Sequence, residues 1–172
     1  MATTFESLYF GTYLPTIREN AESNVHKRVY ETNRHRIYAL SFWMTDNELA
    51  AEELLQRTFS RAFSQVDEPS SELLDQVLIA ELRALMPLGS LTLKCNPCTE
   101  VSGIRRNTLR VHLERAVVQL PPTERMVFLM HDVESYDHKR ISRLLDLTDD
   151  ESRLALHQAR LRLRELLAAM VS

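Results

Sequence analysis

The stretch 120–167, LPPTERMVFLMHDVESYDHKRISRLLDLTDDESRLALHQARLRLRELL, limits the fold more than any other part of the chain. Its apolar residues recur at three- and four-residue steps broken by short polar joints, the spacing of short helices packed in series. Leu120-Pro121-Pro122-Thr123 ends one helix and begins another: proline cannot continue a helix, and Thr123 is placed to cap the next. A short helix is expected over 124–132, with Met126, Val127, Leu129 and Met130 turned inward. After a joint at 133–136, Asp137 caps a second helix carrying Ile141, Leu144 and Leu145, and Thr148 caps a third. Two short helices, a tight turn and a longer helix make the helix-turn-helix outline.

The third helix carries two stripes. Leu156, Ala159, Leu163, Leu166 and Met170 form the apolar one. Arg153, His157, Arg160 and Arg164 form the basic one. On a lone helix such a stripe reads as a solvated face. Behind a capped turn and a second short helix it is placed to lie along DNA, with arginines meeting phosphates or guanine edges. Lys139 and Arg140, at the start of the preceding helix, complete the candidate DNA-binding set.

The remainder is helical too. With 3 glycines in 172 residues and 44% hydrophobic content, an all-α protein with a real core is expected. A helix over 25–44 places Val29, Ile37, Leu40, Ser41 and Met44 on one face, and Asp46 is expected to cap the next helix. Over 47–66, Ala51, Leu55, Thr58, Phe59, Ala62 and Val66 make a stripe opposite Glu52, Glu53, Gln56 and Arg57. Ser70 or Ser71 caps a helix over 72–86, read as a packing helix. Another helix over 104–120 buries Leu109, Leu113, Ala116, Val117 and Leu120 and exposes Arg105, Arg106, Arg110 and Arg115. Residues 1–25 are weakly patterned, an amphipathic segment interrupted near Gly11 and Pro15.

Residues 87–103 hold two of the glycines and two prolines, which marks a linker. The organisation expected is therefore two small helical domains, 1–86 and 104–172, joined by 87–103. Charge divides along the same line. Residues 1–88 contain 8 Lys+Arg against 13 Asp+Glu, net −5; residues 103–172 contain 12 against 10, net +2. A mildly basic domain facing DNA and an acidic one facing protein would give this split.

Two segments resemble one known family. Leu120-Pro121, Arg125, Val127-Phe128-Leu129, Asp132, Ile141 and Ala159-Arg160-Leu161-Arg162 stand where the extracytoplasmic-function (ECF) sigma factors of bacterial RNA polymerase carry similar residues in their C-terminal domain. Ala51-Glu52-Glu53-Leu54-Leu55-Gln56-Arg57-Thr58-Phe59 resembles the helix with which that family docks on the polymerase clamp. The resemblance implies core RNA polymerase and promoter DNA as partners, an anti-sigma factor as a further one, and Glu53, Gln56 and Arg57 as the polymerase-binding residues. Arg57 departs from the family, which usually has a glutamate there. The helix over 72–86 departs further: no Phe, Tyr or Trp lies between Val66 and Phe128, and Glu72, Asp75 and Glu81 stand where the family has the bases that accompany promoter melting. Two other readings stay open, a degenerate sigma-like interaction module and a stand-alone helix-turn-helix regulator.

No enzyme chemistry is expected. The chain has too few glycines for a phosphate-binding loop, and GxSxG and HExxH are absent. Cys95-Asn96-Pro97-Cys98 is a lone CxxC pair; structural zinc needs four ligands, so no metal or cofactor is expected, and the cysteines are read as reduced linker residues, with redox activity as the alternative. No run of eighteen apolar residues and no signal peptide occur, so a cytoplasmic protein is expected.

Overall fold

The computed structural model describes residues 17–93 and 110–171. The expectations for residues 1–16, for Cys95 and Cys98, and for Arg105, Arg106 and Leu109 lie outside the described residues. Seven α-helices and one π turn make up the described chain, with no strand among them: α1 (Ile17–Thr45), α2 (Glu48–Phe63), α3 (Ser71–Arg83), α4 (Arg110–Val118), α5 (Pro122–Phe128), the π turn Leu129–Val133, α6 (His138–Leu145) and α7 (Asp149–Val171).

Helices α1–α3 pack on one another, and α4–α7 form a second group around α7. In α1 the expected face is the buried one: Val29, Ile37, Leu40, Ser41 and Met44 all leave solvent. Ser41 is accommodated there because its hydroxyl donates to the Ile37 carbonyl at 2.7 Å. Asn47, not Asp46, caps α2: the Asn47 side chain accepts from the Ala50 amide at 3.0 Å, while Asp46 takes a left-handed conformation (φ 52°). Asparagine and aspartate both cap well, so the one-residue shift was not readable from residue type. Ser70 caps α3 through the Leu73 amide. Val66, expected inward, is exposed, and Leu54 is buried instead.

In the second group Met126, Val127, Leu129, Met130, Ile141, Leu144 and Leu145 are buried, as are Leu156, Ala159 and Leu163 of α7. Thr123 does not cap α5. Pro121 occupies that position without a side-chain cap, and Thr123 is buried inside the first turn, where its hydroxyl accepts from the Gly89 amide at 3.2 Å. The neighbouring Glu124 is fully buried, and one carboxylate oxygen accepts from the Thr92 and Leu93 amides at 2.7 Å each. Two side chains that looked like helix-start residues thus hold the segment leaving α3 against α5.

That segment turns at Gly89, whose φ is +98° and where an added Cβ would stand 2.8 Å from the Leu145 carbonyl oxygen. Gly89→Ala is expected to cost at least about 1 kcal/mol, because an alanine is strained at positive φ and the Leu145 backbone cannot yield freely. Urea unfolding should show a lower midpoint at unchanged slope.

The two groups share one continuous apolar cluster, from Val29 of α1 to Leu167 of α7. Arg125 of α5 ties them by hydrogen bonds as well. It donates to Leu120 (2.8 and 3.1 Å) and Val118 on its own side, and to Met44 (3.0 Å) and Trp43 (3.3 Å) at the C-terminal end of α1. Cationic donors suit the orphan carbonyls of a helix end. Burial pulls the Arg125 guanidinium below its ordinary value, and the Asp46 carboxylate partly opposes this.

Candidate nucleic-acid interface

The helix-turn-helix is assembled by local caps. Asp137 accepts from the Arg140 amide at 2.7 Å at the start of α6. Asp146 closes that helix in a left-handed conformation, φ 59° and ψ 47°. Thr148 and Glu151 then form a reciprocal box: the Thr148 hydroxyl accepts from the Glu151 amide at 3.1 Å, and the Glu151 carboxylate accepts from the Thr148 amide and hydroxyl at 2.8 Å. The Thr148 amide, then its hydroxyl, hold the Glu151 carboxyl below its usual value. Ser142 of α6 donates to Asp149 at 2.6 Å across the turn. These bonds fix the angle at which α7 leaves α6.

On α7, Arg153, His157, Arg160 and Arg164 are all exposed, on the side away from Ala155, Leu156, Ala159 and Leu163. Arg153, His157 and Arg164 have no acidic partner among the described residues. Arg160 differs: it makes a two-point contact with Asp132, Nε to Oδ2 at 3.0 Å and Nη2 to Oδ1 at 2.6 Å. The π turn places that carboxylate. Glu134 donates its amide to the Leu129 carbonyl, five residues back, and the widened turn carries Asp132 toward α7. A π turn has no signature that periodicity could show. Beside it the rings of His131 and His138 stack with centroids 4.7 Å apart, and His138 Nδ1 lies 2.9 Å from the Ser152 hydroxyl. Burial, then the neighbouring His131 and Arg153, depress the His138 pKa, with Asp149 opposing.

The Arg160 hydrogen bond, foremost, holds the Asp132 carboxyl below the ordinary range. A carboxyl depressed in the folded state contributes stability above its unfolded pKa of about 4, and that contribution is lost as pH falls through the lower folded value. Asp132→Asn is therefore expected to destabilise the protein at pH 7, and the difference from wild type should shrink toward pH 3. Urea titrations at the two pH values measure it.

The other candidates fall in different places. Lys139 is exposed on α6, whereas Arg140 is turned inward and paired with Asp75 of α3 at 2.7 Å. On α2, Glu53, Gln56 and Arg57 share an exposed face. Arg57 pairs with Glu53 at 2.5 Å and approaches Glu81 of α3 at 4.0 Å, and Arg61 pairs with Glu81 at 2.8 Å. The charge that departs from the family motif is thus neutralised within the chain. The Glu53–Arg57 pair is exposed on both sides, and an exposed pair of this kind is worth little. Asp75, which carries the contact to Arg140, was not legible as an interface residue: an acidic residue on an amphipathic helix gives no sign of complete burial.

Comparisons with known proteins agree with this geometry. Residues 110–163 match the family model described as Sigma-70, region 4. The solved structure of the sigma factor RpoE from Bartonella quintana, in complex with the anti-sigma factor NepR, has a similar fold, with a TM-score of 0.64 at 16% identity over 83% of this chain and 96% of that one. No curated protein sequence matches the chain. Residues 110–163, which span α4 to α7, are thus similar to sigma-70 region 4, and the chain shares the fold of that sigma factor. No described helix is long and apolar enough to cross a membrane.

Proposed function

We propose that this chain directs transcription initiation in the cytoplasm by bridging core RNA polymerase and promoter DNA, without catalysis of its own. Residues 1–86 act as the polymerase-binding domain, 87–103 as the linker and 104–172 as the DNA-binding domain. One observation carries the reading: a solvent-facing row of Arg153, His157 and Arg164 on the helix that follows a tightly capped turn. That helix lies in the major groove, and its row engages phosphates and base edges. Arg160, held by Asp132, orients the row rather than leading the contact, and Lys139 reaches the backbone from α6. Glu53, Gln56 and Arg57 meet the polymerase, giving up the Glu53–Arg57 pair for contacts across the interface. An anti-sigma factor, such as accompanies the Bartonella quintana protein, is a further partner.

A second reading rests on α3. Apart from Ser71 and Gln76 its residues are apolar or acidic, with Arg83 as its one base, and it offers no aromatic platform for an unstacked strand. On that observation the chain binds polymerase and occupies promoters without melting them efficiently. Co-purification of core polymerase with the tagged chain tests what both readings share: wild type should retain the polymerase, and Glu53→Lys with Gln56→Ala should not. Polymerase absent from both, with DNA binding intact, would leave a stand-alone regulator.

A further inference from the structure

Asp75 of α3 has no solvent exposure at all. Its carboxylate accepts from three donors: Arg36 of α1, the Tyr136 hydroxyl at 2.8 Å and Arg140 Nη2 at 2.7 Å. Tyr136 also accepts from Arg36 at 2.8 Å, and the Arg140 guanidinium lies over the Tyr136 ring, 3.8 Å from its centroid. Asn33 and Ser71 anchor the network on the N-terminal side through 3.1 Å bonds. A buried carboxylate is tolerable only while its donors remain, and two of the three belong to the C-terminal group. The junction between the groups is therefore polar at this point, beside the apolar cluster that they share.

Arg140 stands in the first turn of α6, the helix that crosses the DNA backbone in a helix-turn-helix. Carboxylate and phosphate oxygens present the same acceptor to a guanidinium. The contact made here is incomplete: Nη2 is engaged, but Nε is buried without an acceptor among the described residues. A second, exposed pair, Arg143 with Glu72 at 3.7 Å, repeats the pattern one turn on, again a base of α6 against an acid of α3.

We propose that Asp75 acts as an internal substitute for a DNA phosphate: it holds α6 against α3 and competes with DNA for Arg140, so that the closed chain restrains its own DNA binding. This rests on the reading that α6 and α7 bind DNA.

The test uses the full chain with Cys95 and Cys98 replaced by serine and dyes on Glu52→Cys and Ala169→Cys. Energy transfer reports closure. Fluorescence anisotropy with a mixed-sequence DNA duplex reports affinity, since phosphate contacts carry no sequence information. Asp75→Asn is expected to lower the transfer efficiency and to tighten duplex binding by about fivefold or more. Tyr136→Phe removes one hydroxyl from the same network and should move both readouts the same way by less, which keeps the test usable if Asp75→Asn does not fold. Unchanged transfer, or separation without tighter binding in a folded variant, overturns the proposal. Arg153→Ala separates the two layers. If it weakens binding while the Asp75 and Tyr136 variants leave affinity unchanged, self-restraint fails and the DNA-binding reading stands. If it does not weaken binding, that reading fails and the proposal falls with it.

Discussion

Arg153→Ala combined with Arg164→Ala is expected to weaken promoter binding between about tenfold and a hundredfold and to flatten its salt dependence. Both side chains are exposed on α7. Neither pairs with a carboxylate among the described residues, so stability should hardly change. Each phosphate contact contributes roughly −0.9 to the slope of log affinity against log salt concentration, and losing two should reduce that slope by roughly 2. Arg160→Ala should behave differently. Its guanidinium already serves Asp132, so part of its effect appears as lost stability and less as lost affinity. Binding titrations at four salt concentrations, with melting curves of the same variants, distinguish the two roles. Equal losses at every salt concentration would mean that these arginines do not meet phosphates.

Arg125→Ala should destabilise the protein by about 3 kcal/mol, because hydrogen bonds to charged groups are worth about 1.5–3 kcal/mol each and do not add independently. The guanidinium serves carbonyls on both sides of the junction, and its removal leaves Met44 and Leu120 without their donors. Arg125→Lys should recover less than half of the loss. One ammonium cannot reproduce a planar fork that spans the end of α1 and the α4–α5 turn. Urea unfolding followed by circular dichroism measures both. Recovery of full stability by lysine would mean that charge alone matters there.

The helical character of the chain and the direction of most faces were legible because helices state themselves through spacing. Ile37, Leu40, Met44, Ile141, Leu145 and Leu156 could be placed inward from periodicity alone, and all are buried. The basic row of α7 was legible for the same reason. What could not be read depends on contacts between distant segments. Thr123 and Glu124 look like the start of a helix, and locally they are; their side chains are consumed by the backbone of residues 89–93. Arg125 fitted a family motif, but nothing local shows that it reaches α1. Arg140 resembled its neighbour Lys139 in the sequence, and only the arrival of α3 separates them, one turned into the molecule and one toward solvent. Asp75 is the sharpest case. On α3 it stands with Glu72 and Glu81 where the resemblance places bases, and it is fully buried at the junction.

Run-off transcription with purified core polymerase, on a template from a footprinted genomic site, tests the central claim most directly. A discrete transcript that requires this chain is expected, and it should disappear with the Arg153→Ala, Arg164→Ala variant. A polymerase that ignores the chain, giving the same products with and without it while the chain binds the template unaided, would contradict it.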